Sequence, residues 1–243
     1  MSIALRLAEI RERMAGAARR AGRRPEEIAL MAVSKTHPAS AILEAVAAGQ
    51  TLFGENRVQE FAGKHGAVAA AATAAKAKFH LIGHLQSNKA AKAVELFDGV
   101  DSVDSLRLAE RLNEAAERLG KRLDVLIEIN VGGEAAKSGV EPESDELYGL
   151  LDAQARLTHL NIAGCMTVPP FTDDPEGARS YFGQLRELRD RLRVRSGLAL
   201  DELSMGMSHD FEVAIEEGST CVRVGTAIFG SRSYPAPYEE PRQ

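Results

Sequence analysis

Along the chain, short apolar and β-branched runs alternate with longer stretches whose apolar residues recur every three or four positions. The runs begin near Ile28, Thr51, Lys78, Gly99, Asp124, Asn161, Glu202 and Cys221, and all eight read as strands. Between them the spacing is helical. Leu108, Leu112, Ala115, Ala116 and Leu119 fall on one helix face, with Asp104 placed to cap its start and Gly120 to end it. Phe182, Leu185, Leu188 and Leu192 mark a second such face. The Ala-rich stretch from Ala67 to Lys78 reads as the extension of a helix, since alanine has the best helix propensity. Ahead of the first strand, Ile3, Leu5, Leu7, Ile10 and Met14 are interrupted by Arg6, Glu9, Arg11, Glu12 and Arg13. That pattern is an amphipathic helix. It is not the continuous apolar core of a signal peptide, and its glutamates argue against a transit peptide.

Eight strands alternating with helices in a chain of this length match the arithmetic of a closed parallel (β/α)8 barrel, with one extra helix at the N-terminus. An open doubly wound sheet is the competing arrangement, and Gly99 to Val103 is the weakest of the strands. No stretch reads as a linker, so residues 1–243 are expected to form a single domain. The tail from Tyr234, with its three prolines, is expected to trail over the surface.

Composition narrows the class. The chain has 243 residues, of which 44% are hydrophobic and 27% charged, ordinary values for a globular protein with a sizeable core. The formal charge is −5, from 30 basic and 35 acidic residues, which gives no electrostatic footprint for nucleic acid. No run is long and apolar enough to span a membrane, and the reading is a cytoplasmic protein. Cys165 and Cys221 both sit in apolar strand-like runs and are expected to be buried free thiols. The six histidines show no HExxH spacing, and neither CxxC, GxGxxG nor a Walker motif occurs, so no metal site is expected.

The candidate chemistry lies at the predicted strand ends, where barrels of this kind carry their sites. The first run stops at Ser34-Lys35-Thr36-His37, and Pro38 opens the next helix. A lysine there points into the mouth. Gly54-Glu55-Asn56 ends the second strand, leaving Asn56 at the mouth, and Gly83-His84 ends the third. Ile129-Asn130 ends the fifth, and Met166-Thr167 the sixth. The seventh runs through Met205-Gly206-Met207 to Ser208, a candidate cap for a helix from His209 to Glu217, and the eighth reaches Gly225-Thr226. Loops after the seventh and eighth strands are the usual phosphate cradle of such barrels, and backbone N–H groups, a hydroxyl and a glycine suit a phosphate dianion. Arg223 interrupts the apolar alternation of the eighth strand. It is either an inward arginine paired with a carboxylate or a fixed cation facing a ligand. A lysine, a phosphate cradle and an inward arginine at one mouth fit pyridoxal 5′-phosphate held as a Schiff base. The same residues also fit a sugar-phosphate lyase in which Lys35 forms an imine with substrate.

Val33-Ser34-Lys35, Phe53-Gly54-Glu55-Asn56-Arg57-Val58-Gln59-Glu60, His80 through Lys89 and Leu203 through Phe229 together resemble the pyridoxal phosphate homeostasis protein family, also called YggS or proline synthase co-transcribed proteins. The resemblance runs from about Val33 to Gly230. It implies a single barrel like the N-terminal domain of alanine racemase, the fold type III architecture. It implies Lys35 as the Schiff-base lysine, Arg223 facing the pyridine nitrogen, and Ser208, Gly225 and Thr226 on the phosphate. By the same resemblance Asn56 and His84 line the ring, Met166 lies behind it, and Lys137 is a secondary contact. Arg57 departs from the family, which often has an aromatic residue there.

An arginine can only donate, so it favours an unprotonated pyridine nitrogen and weakens the ring as an electron sink. The chain ends at Gln243, soon after the eighth strand, without the second domain that supplies the opposing base in two-domain racemases. The expectation is therefore a carrier without robust catalysis that releases pyridoxal phosphate to apo-enzymes, and a monomer. An amino-acid racemase using one open face competes with it, as does the lyase.

Overall fold

The structure, a computed structural model, describes residues 1–134 and 138–230. Lys137 and the tail from Tyr234 therefore lie outside the described residues. Eight strands close into one parallel barrel in sequence order. They are β1 (Ala29–Val33), β2 (Leu52–Glu55), β3 (Lys78–Leu81), β4 (Gly99–Val103), β5 (Leu123–Glu128), β6 (Leu160–Met166), β7 (Glu202–Met207) and β8 (Cys221–Val224). Closure is made by β1 pairing with β8, with Ala29 opposite Cys221 and Ala32 opposite Val224. The open doubly wound sheet is thereby excluded. The strands match the eight predicted runs to within a residue at their starts.

Each strand presents one side chain in two to an outer core shared with the helices. Leu30, Ala32, Phe53, Phe79, Val125, Ile127, Leu203, Met205, Val222 and Val224 lie there, fully or nearly buried. The alternate positions face the barrel axis. Met31 fills it so tightly that a Cβ at Gly54 would come within 2.8 Å of the Met31 sulfur. The weak appearance of β4 has a physical reason. All five of its residues are buried, but two are polar and satisfied: Asp101 Oδ1 lies 2.8 Å from His80 Nδ1, and Ser102 Oγ donates to the Gly83 carbonyl at 2.8 Å. Cys165 and Cys221 are free and buried, and burial pushes both thiols up to about 12.

The helices are α1 (Ile3–Arg20), α2 (Ala39–Ala47), α3 (Val58–Ala75), α4 (Ala90–Leu96), α5 (Leu106–Arg118), α6 (Asp145–Asp152), α7 (Arg179–Ser196), α8 (Phe211–Glu216) and α9 (Thr226–Phe229). As expected, the Ala-rich stretch continues α3, which stops where Lys76 turns left-handed. The start of α5 differs from expectation. Its cap is Ser105, whose Oγ accepts the Leu108 N–H at 3.3 Å, because the carboxylate of Asp104 is engaged elsewhere.

The extra helix has a definite place. The last helix among the described residues, α9, is a single turn and cannot cover the β8–β1 seam. α1 packs against α8, α9 and α2, burying Ile3, Leu7, Ile10, Met14, Ala17 and Ala18. Arg13 and Arg20 pair with Glu212 and Glu216 of α8, and Arg23 Nη1 donates to the carbonyls of Ile215 and Ser219. Among the described residues, no helix is long and apolar enough to cross a membrane.

Candidate functional site

The carboxyl ends of the strands open together, and each sequence-predicted residue within the described chain is carried to that mouth by its own strand. Lys35 follows β1 by two positions and is half-buried, with the same parity as the axial Met31 and Val33. It is one of the two central residues of a turn closed by the His37 N–H donating to the Ser34 carbonyl at 3.1 Å. His37 packs against Phe229 with ring centroids 5.1 Å apart and planes tilted by 31°, which sets the Lys35 turn beside α9 and the loop after β8.

That loop is bound to the loop after β7. The Gly225 N–H donates to Ser208 Oγ at 3.3 Å. A Cβ at Gly225 would lie 3.2 Å from the Val33 carbonyl oxygen, so the backbone runs close against β1. Thr226 follows as the exposed first residue of α9. Ser208, Gly225 and Thr226 thus lie together, but Ser208 is not a helix cap. The cap residue of α8 is Asp210, whose Oδ1 accepts the Met207 N–H at 2.6 Å, and the helix starts two residues later than expected. The Ser208 hydroxyl is turned across to β8 instead.

Arg223 lies below this cradle, only 4% exposed. Its Nη1 donates to Ser204 Oγ and its Nη2 to the Thr167 carbonyl, each at 2.7 Å. Neither hydrogen-bonding partner is a carboxylate, so the buried ion pair considered from the sequence is not formed. Burial holds the guanidinium below its ordinary range, yet arginine remains a pure donor. Met166, the last residue of β6, is fully buried on the axial side, in register with Glu128 of β5 and Ser204 of β7.

Asn56 and His84 come together on the opposite wall. They share a cavity of about 390 Å3 with Arg57, Gln59, Gln86 and Lys89. The loops after β2 and β3 are pressed together there, since a Cβ on Gly83 would collide with the Asn56 carbonyl. His84 is a rim residue with its side chain 56% exposed, and its Nδ1 lies 3.0 Å from Asp104 Oδ2. Asn56 is half-buried, and Arg57 is exposed as the residue preceding α3.

Sequence reasoning missed Glu128. It ends β5 on the axial side, is 9% exposed, and its Oε2 has no hydrogen-bond partner. Burial, reinforced by Asp104, pushes its carboxyl up to about 7, against the opposing influence of Arg223 and His84. The signal was present in the run Leu123-Asp124-Val125-Leu126-Ile127-Glu128, where the acid falls on the same parity as Leu126. Also missed were Ser204 and Thr167, which hold Arg223, and Lys64, whose ammonium reaches the Lys35 turn from α3.

Comparison with known proteins gives consistent results. The alanine racemase N-terminal domain family matches residues 5–233. A pyridoxal phosphate homeostasis protein of Aquifex aeolicus is 44% identical over 234 residues, covering 96% of this chain and all of that protein. The PipY protein of Synechococcus elongatus PCC7942, solved with PLP bound, superposes with a TM-score of 0.81 at 40% identity, covering 94% of this chain and all of that one. An alanine racemase of Clostridium difficile 630 shares the fold at a TM-score of 0.70 and 16% identity, and this chain spans 57% of its length.

Proposed function

The chain belongs to the family of pyridoxal phosphate homeostasis proteins, and from that membership we propose that it binds pyridoxal 5′-phosphate at this mouth through Lys35. The observation that carries the assignment is the pair of loops joined by Ser208 and Gly225 beside the Lys35 turn, with Arg223 buried beneath. The donor set fits the group. Ser208, the Gly225 N–H and Thr226 offer hydroxyl and amide donors for a phosphate. Arg223, held by Ser204 and Thr167, offers a cation for a ring nitrogen. Asn56, His84 and Met166 supply the walls. When bound, the cofactor supplies an aldehyde that condenses with a lysine amine. Residues 1–243 act as one unit in this reading, cytoplasmic and monomeric.

The protein holds the cofactor and delivers it to apo-enzymes without robust turnover of its own. Arg223 cannot give up a proton to a ring nitrogen at neutral pH, so it leaves that nitrogen unprotonated and does not promote carbanion chemistry. The curated relatives at 44–45% identity carry the name pyridoxal phosphate homeostasis protein, which supports this reading.

The test is the visible absorption spectrum of the purified protein with added pyridoxal phosphate, before and after borohydride, beside Lys35→Ala. The expected result is a yellow wild type whose band vanishes on reduction and is absent in the variant. A colourless wild type that binds no cofactor would overturn the assignment. Rapid, Lys35-dependent deuterium exchange at the α-carbon of an amino acid would convert the carrier into a racemase.

A further inference from the structure

Resting on that assignment, we propose that Lys64, with Glu55 and Glu60, positions Lys35 by clamping a strained turn from outside the barrel. The turn runs from Ser34 to His37, with Lys35 and Thr36 at its centre. Thr36 has a φ of 66°, in the left-handed region. At that turn position glycine or asparagine is the favoured residue, and for a β-branched side chain the conformation is a true outlier. Such a conformation persists only where its surroundings over-determine it.

The surroundings here are specific. Lys64 rises from the second turn of α3 with its side chain only 11% exposed. Its Nζ lies 3.3 Å from the carbonyl oxygens of both Ser34 and His37, so the ammonium sits between the two ends of the turn and shares its three N–H groups among these carbonyls and two carboxylates. The same Nζ lies 2.8 Å from Glu55 Oε1 and 2.9 Å from Glu60 Oε1. Each carboxylate then holds the turn a second time. Glu60 Oε1 accepts the Thr36 N–H at 2.5 Å, and Glu55 Oε1 accepts the Ser34 hydroxyl at 2.7 Å. Two peptide carbonyls, one peptide N–H and one hydroxyl of a four-residue turn are therefore contacted by three charged side chains of β2 and α3.

A network built only to support the fold has no need of a threonine at the left-handed position, because glycine would relax the turn there. The clamp fixes the direction in which the Lys35 Cα–Cβ bond leaves the backbone. A lysine that must meet an aldehyde anchored by Ser208 and Gly225 depends on that direction. Lys64, Glu55 and Glu60 are positioning residues, acting through the turn and not on the cofactor.

The experiment compares the wild type, Lys64→Met and Glu60→Gln, each with and without Thr36→Gly. Two sets of readings are taken. One is amide hydrogen exchange over Ser34–His37 in the cofactor-free chain. The other is the visible circular dichroism and dilution-induced release rate of bound pyridoxal phosphate. Loss of a charge-assisted hydrogen bond should speed exchange of the His37 amide by about tenfold. Release should accelerate by a similar factor, with a weaker visible dichroism per bound cofactor. Thr36→Gly should restore turn protection in both backgrounds, because glycine holds the left-handed turn without the clamp. Lys64→Met leaves two carboxylates unpaired, and Glu60→Gln, at a less buried position, keeps the test open if that variant folds poorly. Wild-type exchange and release in Glu60→Gln and in folded Lys64→Met would overturn the proposal. So would accelerated exchange that Thr36→Gly leaves unrepaired. The exchange arm needs no cofactor, so a wild type that binds none would defeat the functional assignment while the clamp is still judged on its own.

Discussion

Glu128 is a buried acid at the mouth whose proton affinity the fold raises. Its carboxyl is held up to about 7 by burial and by Asp104. A folded-state value above the ordinary 4.5 means that the folded chain binds this proton more tightly than the unfolded chain does. Its contribution to stability is therefore fully present below pH 4.5 and is lost as pH rises through 7. Glu128→Gln should remove that loss, flattening the stability profile by on the order of 3 kcal/mol between pH 5 and 8. Urea midpoints of both proteins at the two pH values measure it. Ser208 allows a prediction on the ligand side. Ser208→Ala should weaken pyridoxal phosphate binding about tenfold, the worth of one hydrogen bond to a charged group, and leave binding of phosphate-free pyridoxal unchanged. Equal losses for both ligands would remove Ser208 from the phosphate. Lys35, Asn56, His84, Met166 and Arg223 were legible because each interrupts an apolar alternation or ends it, and strand ends are where barrels place chemistry. Glu128 was hidden by the same logic, since an acid inside an apolar run reads as the polar side of a strand until closure makes that side the interior. The Arg223 partners were illegible because a serine on β7 and a main-chain carbonyl just past β6 carry no sequence mark.

At the level of elements, the loop after β7 is fixed by one glycine. Gly206 has a φ of 92°, and a Cβ there would sit 2.5 Å from the Ala214 Cβ and 3.0 Å from the Phe211 Cα. Gly206→Ala therefore meets both left-handed strain and the face of α8, and should cost about 3 kcal/mol. Thermal melts should show the loss, and pyridoxal phosphate binding should weaken with it as Ser208 moves away from Gly225. A fully stable variant would mean that α8 gives way more easily than its buried face implies. The strands were readable from their β-branched runs, and the long amphipathic helices from their spacing. The caps were not. Asp104 and Ser105 are both good caps standing side by side, and the choice between them is made by His84, a partner twenty residues earlier in the chain. Ser208 was misjudged for a similar reason, since its hydroxyl accepts the Gly225 N–H of the neighbouring loop and no amide of its own helix.

For the whole molecule, the decisive element is α1, which stands over the seam where the barrel closes. Leu7 is fully buried in that contact. Leu7→Ala should cost about 2–5 kcal/mol and lower a single cooperative melting transition, because α1 and the barrel share one core. A separate early transition would show that α1 undocks alone. The same seam sets an order of events in time. Arg23 bonds the Ile215 carbonyl 192 residues further on, and Arg6 reaches the Ile228 carbonyl across 222. During synthesis, α1 and β1 emerge well before the surfaces of α8, β8 and α9 that complete their packing. Until β8 appears, one edge of β1 is unpaired and the apolar face of α1 has lost most of its neighbours. Contacts of such long sequence separation are slow to form, so until β8 is made the growing chain carries an unpaired strand edge, the kind of feature that invites association with other chains.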